Sequence, residues 1–336
     1  MRICIMKILK IFLSLGVLIL GGIFLFKDGA KPSVQALKVI AISQLVEHPS
    51  LEAVRQGIYD VLFHSGLKEG KDYKIIYKNA QGNMSINNQI AQQFAGIKPD
   101  VMVAISTPSA QSLASASYNK EIPLVFAAVT DPLQSKLVKD LNKPGSFISG
   151  VSDLPPLQAQ IELIRDLFPT AKKIGVLYNP AEINSVKTVS EFQALAQKLH
   201  FELLLAPTTR SSEVLFVAQN LIGKVDVLYI PQDNTVVSAI PSLISLQYEK
   251  KIPCFTSDEV LVQKGALAAI GTSYYEHGKQ VGEIVLKFLE NTENLQIPVA
   301  FPQNPQIYVN HTTAMHLGLN IPDKIAQKAK IYKLKK

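Results

Sequence analysis

From Leu37 onward, short apolar runs alternate with segments in which apolar residues recur every three or four positions. Leu37–Ser43 is a continuous apolar run rich in β-branched residues, which predicts a strand buried on both faces. Pro49 suits the first position of a helix, and Leu51, Val54, Ile58, Val61 and Leu62 then follow at helical spacing. Tyr73–Tyr77 predicts a second strand, Ile86–Phe94 a helix, Val101–Ile105 a third strand, Ser109–Ala116 a small-residue helix and Leu124–Ala128 a fourth strand. Strict alternation of this kind predicts an α/β fold with a doubly wound parallel sheet.

The pattern then restarts. Lys173–Tyr178 resembles Lys38–Ser43, Val225–Ile230 resembles Pro99–Ala104, and Lys251–Phe255 resembles Glu121–Val125. A spacing of about 130 residues is too long for a solenoid and predicts two similar lobes. The first lobe is expected over 37–151, completed by about 273–298, and the second over 152–272, completed by about 302–320. The join falls near Ser149–Pro156, where Gly150 and the pair Pro155-Pro156 interrupt the pattern. Two such lobes bring the carboxyl ends of both sheets to a common cleft, where loop amides and helix N-termini converge.

Composition narrows the function classes. With 47% hydrophobic and 18% charged residues, the chain is neither disordered nor fibrous. The net charge of +7 is concentrated at the two ends, in Arg2, Lys7, Lys10, Lys27 and Lys31 and in a basic tail over 321–336. The body between is near neutral, which argues against a nucleic-acid partner. Arg2, Lys7 and Lys10 precede an apolar run, Ile11–Phe26, and a polar exit, Lys27–Pro32, so residues 1–36 read as a signal peptide or signal anchor. Export follows from either form; cleavage near Val34-Gln35-Ala36 and anchoring both stay open. Cys4 and Cys254 are the two cysteines, so the exported part has one thiol and no internal disulfide. No nucleotide loop, nucleophile elbow, zincin motif or metal-ligand spacing of His and Cys is present. Neither a catalytic residue nor a cofactor is expected.

The chemistry is expected at the strand exits. Ser106-Thr107-Pro108-Ser109 opens a helix, so Thr107 and Ser109 offer hydroxyls beside free amides to a carboxylate, or serve as an ordinary cap. Thr130 adds a hydroxyl in Ala128–Pro132. In the second lobe the exits carry Gln232-Asp233-Asn234 and Thr256-Ser257-Asp258-Glu259, where Asp233 or Asp258 suits an ammonium group or a helix cap. Gln44, Glu47 and His48 lie on a long first exit loop, and Tyr178-Asn179 with Asn184-Ser185 occupy the matching place in the second lobe. Tyr274, with Tyr178, is a candidate for stacking on a flat ligand or for packing in the core. Hydroxyls on one lobe and carboxylates on the other suit a zwitterion.

Several motifs occur in a shared order: Gln44–Pro49, Asn79–Gly82, Ser106–Pro108, Ala128–Pro132, Gly150–Leu154 (which contains Asp153), Gly175–Asn179 with Asn184-Ser185, and Asp233-Asn234. Between about Leu37 and Gly318 they resemble the ABC-transporter substrate-binding proteins typified by tryptophan-binding members. The resemblance implies a type I periplasmic-binding-protein fold, with two lobes joined by three hinge crossings near Val151, Thr272 and Ile297–Pro302. It implies an amino-acid ligand, aromatic in character, trapped by hinge closure and delivered by a monomeric binder to an ABC permease in the inner membrane. The chain would then work in the periplasm, free or tethered by its N-terminal segment. Two features depart from that pattern: no lipid-anchor cysteine follows the apolar run, and Ser273 stands before Tyr274-Tyr275 where the resemblance leads to an aspartate. A membrane-tethered ligand sensor is the alternative use of the same module, with an exported enzyme third.

Overall fold

Strand β1 (Lys38–Gln44) is apolar on both faces because it runs through the interior of a parallel sheet, between β2 (Tyr73–Asn79) and β3 (Val101–Ile105). With β4 (Leu124–Val129) and β5 (Ile148–Ser152) the sheet order is β2-β1-β3-β4-β5. The computed structural model describes residues 37–333 other than 119, 291–294 and 302. The signal segment expected over 1–36 lies outside the described residues. Side chains of β3 alternate between two cores, Val101, Val103 and Ile105 in one and Met102 and Ala104 in the other. Helix α1 (Pro49–His64) packs on the first face, and α2 (Met84–Ile97) with α3 (Thr107–Ala116) on the second.

The second lobe repeats this plan. Strands β6 (Lys173–Tyr178), β7 (Glu202–Pro207), β8 (Val227–Tyr229), β9 (Cys254–Thr256) and β10 (Ala268–Gly271) run β7-β6-β8-β9-β10, the order of the first sheet. Helices α4 (Leu157–Leu167) and α5 (Ile183–Lys198) cover one face. On the other lie α6 (Val214–Gln219), the short α7 (Asn234–Ser238) and α8 (Ile240–Lys250). Short helix α9 (Glu259–Gln263) follows β9. The duplication read from the sequence is thus a duplication of topology.

Three crossings join the lobes, as expected. The first follows β5, and the second, Gly271–Ser273, leads from β10 into α10 (Tyr274–Glu290), whose Val281, Val285 and Phe288 return to the first core. The third runs beside the first: Ser152 N donates to Ala300 O and Ala300 N to Gly150 O, both at 2.9 Å. Helix α10 lies so close to α1 that a Cβ on Gly278 would stand 2.0 Å from Val54 O, and one on Gly57 2.2 Å from Tyr275 O.

Two boundaries differ from the sequence expectation. Part of the join near Ser149–Pro156 is strand β5, which pairs with β4 before the chain leaves the first lobe. The basic tail expected over 321–336 folds onto the second lobe over its described length. After β11 (Gln306–Asn310), which is antiparallel to β10, come α11 (His311–His316), α12 (Asp323–Ala326) and β12 (Ala329–Tyr332), which pairs in parallel with β11. The lysine-rich composition hid this strand: Lys330 stands 2.7 Å from the buried Glu259, which Tyr332 also binds. The second lobe therefore closes at β12 and not near 320.

Candidate functional site

Strand exits of both lobes meet at the hinge around a narrow cavity of about 20 Å³. The first lobe contributes His48, Ser50 and Thr130, and the hinge contributes Asp153 and Tyr274. The second lobe contributes Asn184, Gln232, Asp233, Asn234, Ser257 and Asp258. Local structure fixes most of these side chains. His48 is extended and caps α1, its Nδ1 accepting from Leu51 N at 3.5 Å. The ring proton therefore sits on Nε2, and the Asn234 side chain hydrogen-bonds the ring. Burial lowers the imidazole to about 4, so it is neutral near pH 7.

Asp233 caps α7, accepting from Val236 N at 2.8 Å through Oδ1, while Oδ2 takes the Ser185 hydroxyl at 2.6 Å and the Asn179 amide. Asp258 caps α9, accepting from Leu261 N at 3.0 Å, and its other oxygen receives the Ser50 hydroxyl from the opposite lobe at 2.8 Å. Glu182 accepts from Asn234 Nδ2 at 2.6 Å and from Thr235 N at 3.0 Å, which anchors the start of α7. Burial raises Asp233 to about 7, with the neighbouring Glu182 charge adding to the effect, and burial raises Asp258 to about 6. Asp153 is also pushed up by burial, against the Tyr274 hydroxyl that donates to its Oδ2 at 2.7 Å. Burial first, then the Asp153 and Asp258 carboxylates, push the Tyr274 phenol up in turn. Among the described residues, the cavity wall thus carries acidic groups and no lysine or arginine.

Among the described residues, eleven buried side-chain polar atoms lack a partner. Those of Ser43, Gln44, Ser106, Thr107, Asp153, Asn184, Gln232 and Ser257 all sit at strand exits or in the first turn of the helix that follows. Four of them belong to residues that line the cavity: Asp153 Oδ1, Asn184 Oδ1, Gln232 Oε1 and Ser257 Oγ, although the Thr130 side chain lies close enough to Asp153 to favour its charged form. The amide orientations are set by their other ends, since Asn184 Nδ2 donates to Gln232 O at 2.8 Å and Gln232 Nε2 to Asp153 O at 2.9 Å. Three unpaired acceptors around one space suit a group with several N–H donors. On the first-lobe side the N-terminus of α1 faces the same cavity, where its dipole favours an anion.

Of the residues singled out in the sequence, His48, Thr130, Asp153, Asp233, Asn234, Asp258 and Tyr274 are brought together around the cavity. The others are not. Ser109 donates to Asn87 on α2, so helix packing turns it from the cleft. Thr107 is buried at the start of α3 but does not line the cavity. Gln44 donates to Val46 O and Glu52, bracing its own loop, and Glu47 is exposed. Tyr178 packs on the core of the second lobe, and Asn179 binds Thr235. Asn184, Gln232 and Ser257 stood on the flagged loops, yet Tyr178 and Asn179 were chosen over the first and Asp233 and Asp258 over the other two. Ser50 and Glu182 carried no signal beyond their position near a helix start.

The lobes are drawn together. Besides the Ser50–Asp258 bond, Lys187 on α5 reaches Asp131 of the first lobe at 3.6 Å.

Comparison with known proteins fits this geometry. The sequence model described as ABC transporter substrate binding protein matches residues 39–333. A tyrosine-binding protein of Clostridioides difficile (strain R20291) is 40% identical over 292 residues, covering 87% of this chain and 84% of the relative. An ABC domain from Streptococcus pneumonia in complex with L-Trp is 33% identical with a TM-score of 0.83, over 89% of this chain and 100% of that one. The ligand-free, open structure of a substrate-binding protein with adhesive properties from Clostridium difficile is 39% identical, yet its TM-score is 0.65 over 89% and 100% of the two chains. The more similar sequence of the two superposes less well.

Proposed function

This chain belongs to the ABC transporter substrate-binding proteins, and from that premise we propose that it captures an aromatic amino acid between its lobes and delivers it to a membrane permease. The observation that carries the reading is the set of oxygens on Asp153, Asn184 and Gln232 that receive no geometric hydrogen bond around one narrow space between the lobes. Three acceptors match the three N–H donors of an α-ammonium group, and the acidic wall favours its charge. Thr130 and the start of α1 take the carboxylate. Asp233 and Asp258 act through their field, because capping and the cross-lobe bond already occupy their oxygens. The relatives named for tyrosine and bound to L-Trp support the aromatic class. Export, with the chain free or held by its apolar N-terminal run, places the binder on the side of the membrane where its ligand arrives.

A panel of amino acids tested by thermal shift checks the class. A ligand at about 100 times its dissociation constant adds roughly 2.7 kcal/mol of stability. Tyrosine, tryptophan or phenylalanine should raise the melting temperature where sugars and inositol do not; no rise with any amino acid would sink the reading.

The buried carboxyls also set a pH dependence. An ammonium favours their ionised forms, so binding expels protons from Asp258 and Asp233, whose values stand at about 6 and 7 in the unliganded site. Affinity should fall as the pH drops from 7 to 5, by calorimetry. The melting temperature of the unliganded protein should change far less over that range. Acid favours the folded state through Asp233 and Asp258, which keep protons up to about 7 and 6 against 3.8 unfolded. Acid opposes it through His48 and His277, held neutral down to about 4 against 6.5 unfolded. The two linkages run in opposite directions.

A further inference from the structure

The strands of the first lobe run parallel, so the chain enters β1 to β5 at one end of that lobe, away from the cleft. The entering segments adjoin one another at this pole. Lys38 N donates to Asp72 O, Met102 N to Pro123 O and Leu124 N to Phe147 O, at 3.0, 2.8 and 2.8 Å. Phe63 and Ile97, at the ends of α1 and α2, are exposed here, as are Leu67 and Tyr118 in the connections after α1 and α3. The two rings stand out most, Phe63 at 76% and Tyr118 at 77%. The second lobe has the same strand order and serves as an internal comparison. There, the last two residues of each helix before β6 to β10, and the connection into the strand, expose no large apolar side chain. The apolar pole is therefore a property of the first lobe and not of the architecture.

The same connections carry Lys68, Lys71, Lys98, Lys120 and Lys143, all exposed. Among the described residues none of the five is in an ion pair. Of the acids beside them, Asp72, Asp100 and Asp140 turn to backbone amides, while Glu69 and Glu121 are exposed. Two grooves extend the surface, one lined by Tyr59, Phe63, Leu67 and Lys68, the other by Tyr118, Phe147 and Lys143. Rings and aliphatic side chains interspersed with lysine ends suit the interface of an anionic bilayer, where rings sit among the headgroups and ammonium groups meet phosphates.

Where the chain enters favours lipid over a second copy as the occupant. Leu37 lies at this pole, directly before β1, and residues 27–36 separate it in sequence from the apolar run Ile11–Phe26. Those ten residues span at most about 35 Å, so a chain kept on that run cannot carry the pole farther than that from the lipid.

We propose that this pole of the first lobe is a membrane-contact surface, with Phe63, Leu67, Ile97 and Tyr118 dipping among anionic headgroups and the lysines pairing with their phosphates. The inference goes beyond the ligand reading above and does not depend on what the cleft binds.

The chain has no tryptophan, so a single one introduced by substitution reports its own surroundings. Full-length Phe63→Trp and Tyr118→Trp, each reconstituted in vesicles of phosphatidylglycerol and phosphatidylcholine, should show blue-shifted emission and lose it when the acyl chains are brominated. Phe216→Trp, on α6 of the second lobe where the native ring is 66% exposed, should keep its emission. Quenching at both pole positions should fall in vesicles of phosphatidylcholine alone, and in anionic vesicles when Lys68→Glu, Lys71→Glu and Lys98→Glu are added. Two pole positions are used so that one misfolded variant does not decide the result. Equal quenching at all three positions would mean contact without orientation, and none at any would leave the pole in water; either overturns the proposal. Quenching as strong in neutral as in anionic vesicles overturns the part given to the lysines. A blue shift at Phe63→Trp that follows protein concentration and not lipid would assign the surface to a second copy of this chain, which also overturns it.

Discussion

Asp153→Asn should weaken binding of an aromatic amino acid by roughly 30- to 1000-fold, the range given by losing a buried charge-assisted hydrogen bond worth about 2–4 kcal/mol. The substituted amide would also turn either an N–H or an uncharged oxygen toward the ammonium where Asp153 Oδ1 now stands unpaired. The unliganded protein should be no less stable, because a carboxyl whose pKa burial has raised is being replaced by a neutral group of the same shape. Opposite effects on affinity and stability separate a ligand contact from a packing role. Calorimetry beside a thermal melt measures both, and unchanged affinity would remove Asp153 from the ammonium site.

Gly278→Val acts on the frame and not on the ligand. Helices α1 and α10 touch backbone to backbone, and the new Cβ would fall 2.0 Å from Val54 O. Relief requires α10 to move off the first lobe, opening the core that Val281, Val285 and Phe288 share with Leu51, Val54 and Ile58. Overpacking against rigid backbone should cost about 3 kcal/mol or more, lowering the melting temperature by roughly 5 °C or more. Gly96→Ala on α2 is the control, since nothing lies within 4 Å of its added Cβ; it should leave stability unchanged or raise it by up to about 1 kcal/mol. Equal melting of the two variants would contradict the close packing of α10 on α1.

Much of the fold was legible because buried parallel strands are written as unbroken apolar runs. Val101–Ile105 and Lys173–Tyr178 begin and end where the pattern puts them. The resemblance between the halves proved to be one of strand order. Edge and terminal strands were harder. Glu202–Pro207 and Ala329–Tyr332 lie at the margins of the sheet, expose one side, and carry polar residues that resemble a loop or a tail.

The site was legible as a place and less so as a set of roles. An aspartate after a strand looks the same whether it caps a helix or holds a ligand. At Asp233 and Asp258 the caps took the oxygens, which a single sequence does not reveal. Uncharged neighbours were undervalued for a related reason: Asn184 and Gln232 owe their acceptor oxygens to where their amide nitrogens are tied, at Gln232 O and Asp153 O. Those bonds link segments far apart in the chain. Ser109 misled because a helix start contains several hydroxyls, and packing against Asn87 decided which way this one turned.

The central claim is that the cleft recognises both charged ends of an amino acid, and titration calorimetry with L-tyrosine and two truncated analogues tests it most directly. L-tyrosine should bind one to one. Tyramine, without the carboxylate, and 3-(4-hydroxyphenyl)propionate, without the ammonium, should each bind at least about 30-fold more weakly, a loss of roughly 2 kcal/mol for one charged contact. Retention of the propionate at the affinity of tyrosine would contradict the account, because the acidic wall and the unpaired oxygens of Asp153, Asn184 and Gln232 would then have no ammonium to hold.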